Sequence, residues 1–163
     1  MEELKFVIGD PHVCTGCMIC VNTCSMHYYK VISPSRSRTR AVRIEPALDF
    51  SVFCRNCEEP YCMNACPNEA ISRTSKGIVI VNSRKCDGTG ECVNACPYFA
   101  IRIHPDTGKA FKCIQCERCV QRCPTGAIFA TTSSDLKKRD PKGRILGFHD
   151  EHSEELYGEE ARS

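Results

Sequence analysis

The sequence predicts an α+β fold in which one short structural unit is built twice. Fifteen of the 163 residues are cysteine, and they fall into four groups along the chain. A short motif of the form C-P-x2-A-I begins at the last cysteine of three of these groups, at residues 66–71, 96–101 and 123–128. Such self-similarity indicates an internal repeat, and we expect each copy to form a helical turn that leads into a strand. Short stretches rich in β-branched and apolar residues lie between the groups, so we expect short strands to alternate with one-turn helices.

The spacing of the cysteines indicates what the four groups bind. Groups one and four have the form C-x2-C-x2-C-x3-C, which is the run typical of bacterial iron–sulfur proteins. Group two has two extra residues before its third cysteine, and group three has Thr89 where its second cysteine would stand. The groups are Cys14, Cys17, Cys20 and Cys24; Cys54, Cys57, Cys62 and Cys66; Cys86, Cys92 and Cys96; and Cys113, Cys116, Cys119 and Cys123.

The geometry of an iron–sulfur cluster explains this spacing. A C-x2-C-x2-C loop places three thiolates at three corners of a cubane [4Fe–4S] cluster, and thiolate is the ligand type that such centres select. The fourth cysteine lies one helical turn later and faces away from the loop, so it binds the cluster of a different loop. Zinc is the alternative metal, but runs spaced at three, three and four residues do not suit one tetrahedral ion.

Composition argues against several other classes of protein. Net charge is only +2, from 22 basic and 20 acidic residues, so no overall field marks a nucleic-acid or membrane binder. An odd cysteine count, a chain long enough for its own core and a start without an apolar signal region disfavour a secreted disulfide scaffold. No apolar run approaches the roughly 18–20 residues that span a bilayer. We expect a soluble cytoplasmic protein without membrane insertion or a nucleic-acid partner.

The individual elements follow from local composition. We expect strands at residues 4–8, 41–44, 77–81 and 99–103. A proline after the fourth cysteine turns the chain away from the cluster at Pro67, Pro97 and Pro124, whereas Ser25 follows Cys24 in group one. The ordinary hydrophobic core is predicted to be small and organised around the clusters. Folding should therefore depend on cluster insertion.

Two segments lie outside the repeat. Residues 30–43 carry five basic residues and no acidic one, which predicts either a solvated loop or a docking surface for an acidic face of a partner protein. Residues 131–163 form a polar tail without cysteine, which is either disordered or ordered by docking to a partner. We therefore divide the chain into a cluster-binding domain, residues 1–130, and this tail.

The whole pattern resembles a known family. Four cysteine groups, the second in the form C-x2-C-x2-P-x-C-x3-C-P, are similar to the polyferredoxin subunits of molybdenum and tungsten oxidoreductases such as dimethyl sulfoxide reductase and formate dehydrogenase. The resemblance covers about residues 7–130. It implies a duplicated bacterial dicluster ferredoxin-like fold of two interleaved units. One unit joins residues 14–24 to 113–123, and the other joins 54–66 to 86–96.

The resemblance also implies how the cysteines are shared. Three [4Fe–4S] clusters would be held by Cys14, Cys17, Cys20 and Cys123; by Cys113, Cys116, Cys119 and Cys24; and by Cys54, Cys57, Cys62 and Cys96. A fourth site would have only Cys86, Cys92 and Cys66, because Thr89 supplies no thiolate. That site would hold a [3Fe–4S] cluster, or a [4Fe–4S] cluster with oxygen from Asp87 or water, or it would be empty with the loop around Gly88 and Gly90 collapsed.

The implied function is electron transfer, with no catalytic residue in this chain. Single electrons would pass between an external donor or acceptor such as ferredoxin and a large catalytic subunit. Tungsten enzymes such as class II benzoyl-CoA reductase have small cytoplasmic subunits of this build, so a tungsten or molybdenum partner is expected. Five basic residues beside the ligands either raise cluster potentials or are solvated charges, namely Arg55, Lys85, Lys112, Arg118 and Arg122.

Two alternatives to a dedicated subunit remain at this point. The chain could be a free-standing multi-cluster ferredoxin that has no fixed catalytic partner. It could also be a catalyst that uses an open iron position at the fourth site as a Lewis acid. Co-purification with a large subunit distinguishes the first alternative from the implied function.

Overall fold

A computed structural model describes residues 3–44, 48–145 and 147. In this part of the chain, eight short strands form four antiparallel pairs, and the other elements include α-helices and one 3-10 turn at Pro34–Arg36. The strands are β1 (Phe6–Gly9), β2 (Arg40–Ile44), β3 (Leu48–Val52), β4 (Ile71–Arg73), β5 (Val79–Val81), β6 (Ile101–Ile103), β7 (Ala110–Lys112) and β8 (Ile128–Thr131). The helices are α1 (Ile19–Tyr29), α2 (Tyr61–Asn64), α3 (Glu91–Ala95), α4 (Arg118–Arg122) and α5 (Ser133–Arg139). The predicted α+β class is confirmed.

All four predicted strands are present, as β1, β2, β5 and β6. The repeated motif also leads into a strand each time, since β4, β6 and β8 begin at its isoleucines, Ile71, Ile101 and Ile128. Sequence analysis did not predict β3 and β7. Each carries a charged residue, Asp49 or Lys112, within a very short apolar run.

The first and last segments of the described chain pack against each other, and the segments between them do the same. β1 pairs with β8, with Phe6 opposite Thr131, which brings the beginning of the described chain to its last strand. β2 pairs with β3, β4 with β5, and β6 with β7. Among the helices, α1 packs against α4 and α2 packs against α3. The first cysteine group therefore lies beside the fourth, and the second beside the third.

The cysteine loops share a backbone conformation. The residue two places after the first cysteine has a left-handed φ in every group: 65° at Gly16, 50° at Asn56, 84° at Gly88 and 60° at Gln115. A second left-handed residue precedes three of the helices, with φ of 62° at Met18, 82° at Gly90 and 58° at Glu117. Because both positions are kept in group three, its loop follows the same path although Thr89 replaces a cysteine.

A proline after the fourth cysteine of a group limits the length of the helix before it. The helices before Pro67, Pro97 and Pro124 are short, with four residues in α2 and five each in α3 and α4. Ser25 takes the place of proline in group one, and α1 continues to Tyr29 as an 11-residue helix. The expectation of one-turn helices is therefore wrong for α1. The missing proline was the signal for the longer helix.

The hydrophobic core is divided into small clusters, and cysteines belong to the two largest. One joins Val7, Val21, Phe53 and Ile128 with Cys20, Cys113 and Cys119, and another joins Ala70, Ile71, Val79, Ile101 and Ala110 with Cys86 and Cys92. The prediction of a small core is confirmed. Within the described residues, no helix has the length and apolar character needed to cross a membrane.

The first part of the predicted tail packs on the β1–β8 sheet. α5 begins at Ser133, after Thr132, whose side chain accepts a hydrogen bond from the Asp135 backbone N–H. Leu136 and Ile145 are buried against Phe6 and other apolar side chains of the sheet. Residues 131–145 are therefore ordered on the domain, and the acidic residues 150–160 lie outside the described chain.

Candidate metal centres

Three cavities are each lined by four thiols. Site A contains Cys14, Cys17, Cys20 and Cys123. Site B contains Cys54, Cys57, Cys62 and Cys96. Site C contains Cys24, Cys113, Cys116 and Cys119. Each cavity combines three cysteines of one group with the fourth cysteine of the group beside it. The structure thus brings together the same three sets of four that the resemblance implies.

Backbone N–H groups point at several of the sulfur atoms. The N–H groups of Asn56 and Gln115, both with left-handed φ, donate to the first Sγ of their own loops at 3.5 Å and 3.4 Å. A third donor comes from farther along the sequence: the Arg38 backbone N–H lies 3.3 Å from the Cys24 Sγ. Such donors stabilise negative charge on a sulfur ligand and tune a bound cluster.

The spread of the thiols fits a cluster better than a single ion. A Zn–S bond of about 2.3 Å places the sulfurs of a tetrahedral site about 3.8 Å apart. Among the described residues, no three His, Cys, Asp or Glu side chains form a group suited to one metal ion. A cubane needs its four thiolates farther apart, because the ligands sit on different iron atoms. The donor sets of sites A, B and C therefore fit [4Fe–4S] clusters.

Burial makes several of these thiols hard to ionise in the absence of metal. Burial, followed by the negative charges of Cys96 and Cys54, raises the pKa of Cys62 to about 12. Burial is also the main cause that raises the pKa of Cys113 to about 12 and the pKa of Cys57 above its usual value. Thiolate is the form that binds iron, and iron cations offset this penalty when they bind. Loading and folding of the sites are therefore linked.

At the fourth predicted site, site D, Cys86 and Cys92 are buried in one apolar cluster, and Cys66 packs against it. Burial, and then the negative charges of Cys86 and Cys66, raises the pKa of Cys92 to about 11. Thr89 stands exposed in the position that Cys17 holds in group one. Its backbone N–H donates to the Asp87 carboxylate at 3.2 Å. The Asp87 carboxylate is thus engaged by the loop's own backbone.

The sites follow one another in the order A, C, B, D. Helix α1 carries Cys20 of site A and Cys24 of site C. Cys54 of site B and Cys113 of site C are neighbours, because the Lys112 Nζ lies 3.1 Å from the Cys54 Sγ and 3.2 Å from the Cys113 carbonyl oxygen. Cysteines of site B pack against the apolar cluster that contains two cysteines of site D. The arrangement forms a continuous series of thiol-lined sites.

Comparison with known proteins agrees with this geometry. A family described as "4Fe-4S dicluster domain" matches residues 47–133, and one described as "4Fe-4S binding domain" matches residues 11–28. The chain belongs to the 4Fe-4S dicluster family. The resemblance drawn from the cysteine groups is therefore confirmed, and so is the expectation that the chain carries several [4Fe–4S] clusters.

The relatives of this dicluster protein include subunits and electron carriers. It is 35% identical over 127 residues to the polyferredoxin-like subunit of aliphatic sulfonate oxidoreductase from Pyrococcus furiosus, covering 76% of this chain and 73% of that protein. It is 32% identical over 139 residues to the putative electron transport protein YsaA of Escherichia coli K12, covering 76% and 87%. A solved structure of the BamBC active-site complex of benzoyl-coenzyme A reductase with zinc aligns at a TM-score of 0.48 and 21% identity, covering 91% of this chain and 94% of that chain.

The predicted basic residues of this dicluster protein have different environments. Lys112 is buried, and its Nζ lies 3.1 Å from the Cys54 Sγ. The Arg55 guanidinium stacks on the Tyr98 ring at 3.9 Å, and Lys85 is exposed. Lys112 is therefore placed to influence a cluster ligand, whereas Lys85 is a solvated charge.

The basic segment at residues 30–43 makes several contacts with the rest of the chain. Arg36 forms an ion pair with Asp106 at 2.7 Å, and Arg43 forms one with Asp49 at 2.8 Å. The Arg38 guanidinium donates to the Lys112 carbonyl at 3.2 Å, and Ser37 is fully buried. The segment is therefore not a loop surrounded only by solvent, and its role as a docking surface stays a prediction.

Sequence analysis missed two amide side chains that connect the loops. Gln115 accepts from the Val7 N–H at 2.8 Å and donates to the Cys54 carbonyl at 2.5 Å. Asn56 accepts from the Val79 N–H at 2.9 Å and donates to the Gly77 carbonyl at 3.0 Å. A signal was present in the sequence: groups two and four have an amide residue where groups one and three have glycine.

Proposed function

We propose that this chain is the electron-transfer subunit of an oxidoreductase complex and carries three [4Fe–4S] clusters, at sites A, B and C. The observation that carries the proposal is the adjacency of three cavities, each lined by four thiols. Such clusters, when bound, supply one-electron redox chemistry. The chain's own part is to hold the sites in a continuous series, so that single electrons can cross the protein.

The proposed ligands are the lining cysteines. They are Cys14, Cys17, Cys20 and Cys123 at site A; Cys54, Cys57, Cys62 and Cys96 at site B; and Cys113, Cys116, Cys119 and Cys24 at site C. Backbone donors and the surrounding apolar side chains hold these thiols in place and limit water around them. At site D the chain offers three thiols, from Cys66, Cys86 and Cys92, in a loop that keeps the cluster-binding path.

The series of sites has a candidate contact surface for an external redox partner. A groove between α1 and α4 is lined by Ile19, Met26, His27, Arg118 and Arg122, among others, and within the described residues it has no carboxylate. The two helices carry cysteines of sites A and C. A partner seated in the groove would therefore lie beside the end of the series.

Charge identifies the kind of partner that fits this groove. Neither Arg118 nor Arg122 forms an ion pair within the described part of the chain. Burial, and then the charge of Arg118, lowers the pKa of His27 below its usual value. Ile19 and Met26 are 39% and 43% exposed. We place an acidic redox protein such as a ferredoxin here, because its carboxylates would meet unpaired arginines around an apolar centre.

The second partner in the proposal is a large catalytic subunit. The relative from Pyrococcus furiosus is named as a subunit of an oxidoreductase, which supports a dedicated assembly over a free-standing carrier. We propose a tungsten or molybdenum enzyme as that subunit, in line with the family resemblance. The cytoplasm is the compartment proposed, because a reducing environment keeps cysteines available as cluster ligands instead of disulfides.

Native purification under anoxic conditions tests this function. The proposal expects a large subunit to co-purify and the complex to contain about 12 iron atoms per copy of this chain from three cubanes, or about 15–16 if site D is loaded. An iron-loaded monomer that serves several unrelated enzymes would support the free-standing ferredoxin instead. A purified chain without iron would reject both.

A further inference from the structure

We propose that Lys112 raises the reduction potential of the cluster at site B above that of the cluster at site A. The inference rests on the proposed function, because it concerns a cluster held by Cys54, Cys57, Cys62 and Cys96. It goes beyond that function by assigning different potentials to different sites.

Lys112 is a buried cation. Only 2% of the residue is exposed, although lysine is rarely placed in a protein interior. It ends β7, next to buried Ala110 and Phe111, and lies immediately before Cys113. A buried ammonium group requires partners that compensate for lost water. The contacts of the Lys112 ammonium group therefore indicate its role.

Those contacts are a cluster ligand and a backbone carbonyl. The Lys112 Nζ lies 3.1 Å from the Cys54 Sγ and 3.2 Å from the Cys113 carbonyl oxygen. Within the described residues no carboxylate pairs with Lys112. The negative charge nearest to this ammonium is therefore the thiolate of Cys54. Lys112 also joins sites B and C, since Cys54 belongs to one and Cys113 to the other.

The lining of the sites differs in charge. Site B is lined by Lys112 and Arg55 and by no carboxylate among the described residues. Site A, in the same part of the chain, has no charged side chain in its lining apart from its own cysteines. Reduction adds one electron to a site without making or breaking a bond. A fixed positive charge favours the reduced form, so site B should have a higher potential than site A.

A second lysine provides a matched control. Lys85 precedes Cys86 as Lys112 precedes Cys113, so both lysines stand directly before the first cysteine of a group. Lys85 is exposed to solvent, whereas Lys112 is buried. Solvent screens the charge of an exposed lysine far more than that of a buried one. The two positions therefore separate a buried contact from a charge that is merely near in sequence.

Redox titration of the complete iron-loaded chain, followed by electron paramagnetic resonance, tests the proposal. Lys112→Met removes the charge at similar length, Lys112→Gln keeps a neutral donor, and Lys112→Arg keeps the charge. We expect the first two to lower the reduction equilibrium constant of one cluster at least about tenfold, which is about 59 mV for one electron. That cluster should be the one lost in Cys57→Ala. Lys112→Arg should restore most of the potential, and Lys85→Met should leave every potential unchanged.

The possible results separate a failure of the Lys112 proposal from a failure of the proposed electron-transfer function. If Lys112→Met or Lys112→Gln retains its iron and all potentials match the wild type, Lys112 does not tune site B. If Lys85→Met produces the same shift as Lys112→Met, the effect is a general charge effect and the proposal fails. If Lys112→Met loses iron, the titration of Lys112→Gln decides. A wild-type chain that holds no cluster at all would overturn the proposed function itself, whatever Lys112 does.

Discussion

Alanine substitutions at Gly88 and Gly90 test whether the loop of site D is clamped by the neighbouring β6–β7 turn. Both glycines have left-handed backbone, with φ of +84° and +82°. An alanine at either position is strained by about 1–2 kcal/mol. Their surroundings differ. A Cβ on Gly88 would lie 2.2 Å from the Gly108 carbonyl oxygen, whereas a Cβ on Gly90 has no heavy atom of the described chain, other than its own neighbours, within 4 Å.

The magnitude follows from that close approach. The Gly108 carbonyl oxygen must move about 1.2 Å away from the new Cβ to reach an ordinary contact distance of 3.4 Å. It lies next to two residues that hold the loop. The Lys109 Nζ donates to the Cys86 carbonyl at 2.5 Å, and the Ala110 N–H donates to the Cys86 Sγ at 3.3 Å. Overpacking of this kind adds about 1–3 kcal/mol. We expect Gly88→Ala to lower the free energy of unfolding by about 2–5 kcal/mol and Gly90→Ala by about 1–2 kcal/mol.

Thermal unfolding of the iron-loaded variants under anoxic conditions measures the difference. For a chain of this length, 1 kcal/mol corresponds to about 2–4 °C in Tm. Gly88→Ala should therefore melt about 2–12 °C below Gly90→Ala. Because the backbone strain is common to both variants, only the contact with Gly108 separates them. Equal melting temperatures would show that the turn does not clamp the loop.

The remaining predictions concern the ligands and the groove. Cys57→Ala should remove about four iron atoms and one paramagnetic signal, and unchanged iron would contradict the ligands of site B. Thr89→Cys should raise the iron content per chain, because its loop keeps the left-handed residues of a complete group; a loop that binds no more iron would disprove that reasoning. Charge reversal of Arg118 and Arg122 to glutamate should slow electron exchange with an acidic ferredoxin about tenfold at low ionic strength, with a smaller effect in high salt. The same reversal of the exposed Lys137 and Lys138 serves as control, and an equal slowing there would reject the groove as the docking surface.

Local features of the site were predictable because they depend on short stretches of chain. Three cysteines spaced at three residues can only wrap one small centre, and the left-handed φ at Gly16 and Gly88 belongs to that wrapping. The strands after Ile71 and Ile128 follow from the repeated motif. The length of α1 is also encoded locally, in the serine after Cys24.

Long-range features were not predictable in the same way. The pairing of Phe6 with Thr131 closes the outer half of the fold, and no local pattern near either residue specifies it. Residues 30–43 look like a free basic loop in sequence, since their acceptors Asp106 and Lys112 lie far along the chain. Leu136 in the polar tail likewise becomes a core residue only when β1 and β8 have paired.

The sequence by itself determined the chemistry of this protein: the kind of ligand, the grouping of the thiols and the one position, Thr89, where a thiol is missing. Tertiary structure decided what surrounds those thiols. Lys85 and Lys112 occupy the same place before a cysteine group, yet one is in solvent and the other is buried against Cys54. The physical reason is that ligand type and spacing are properties of a short segment. Burial and charge balance are set by which distant segments fold against it.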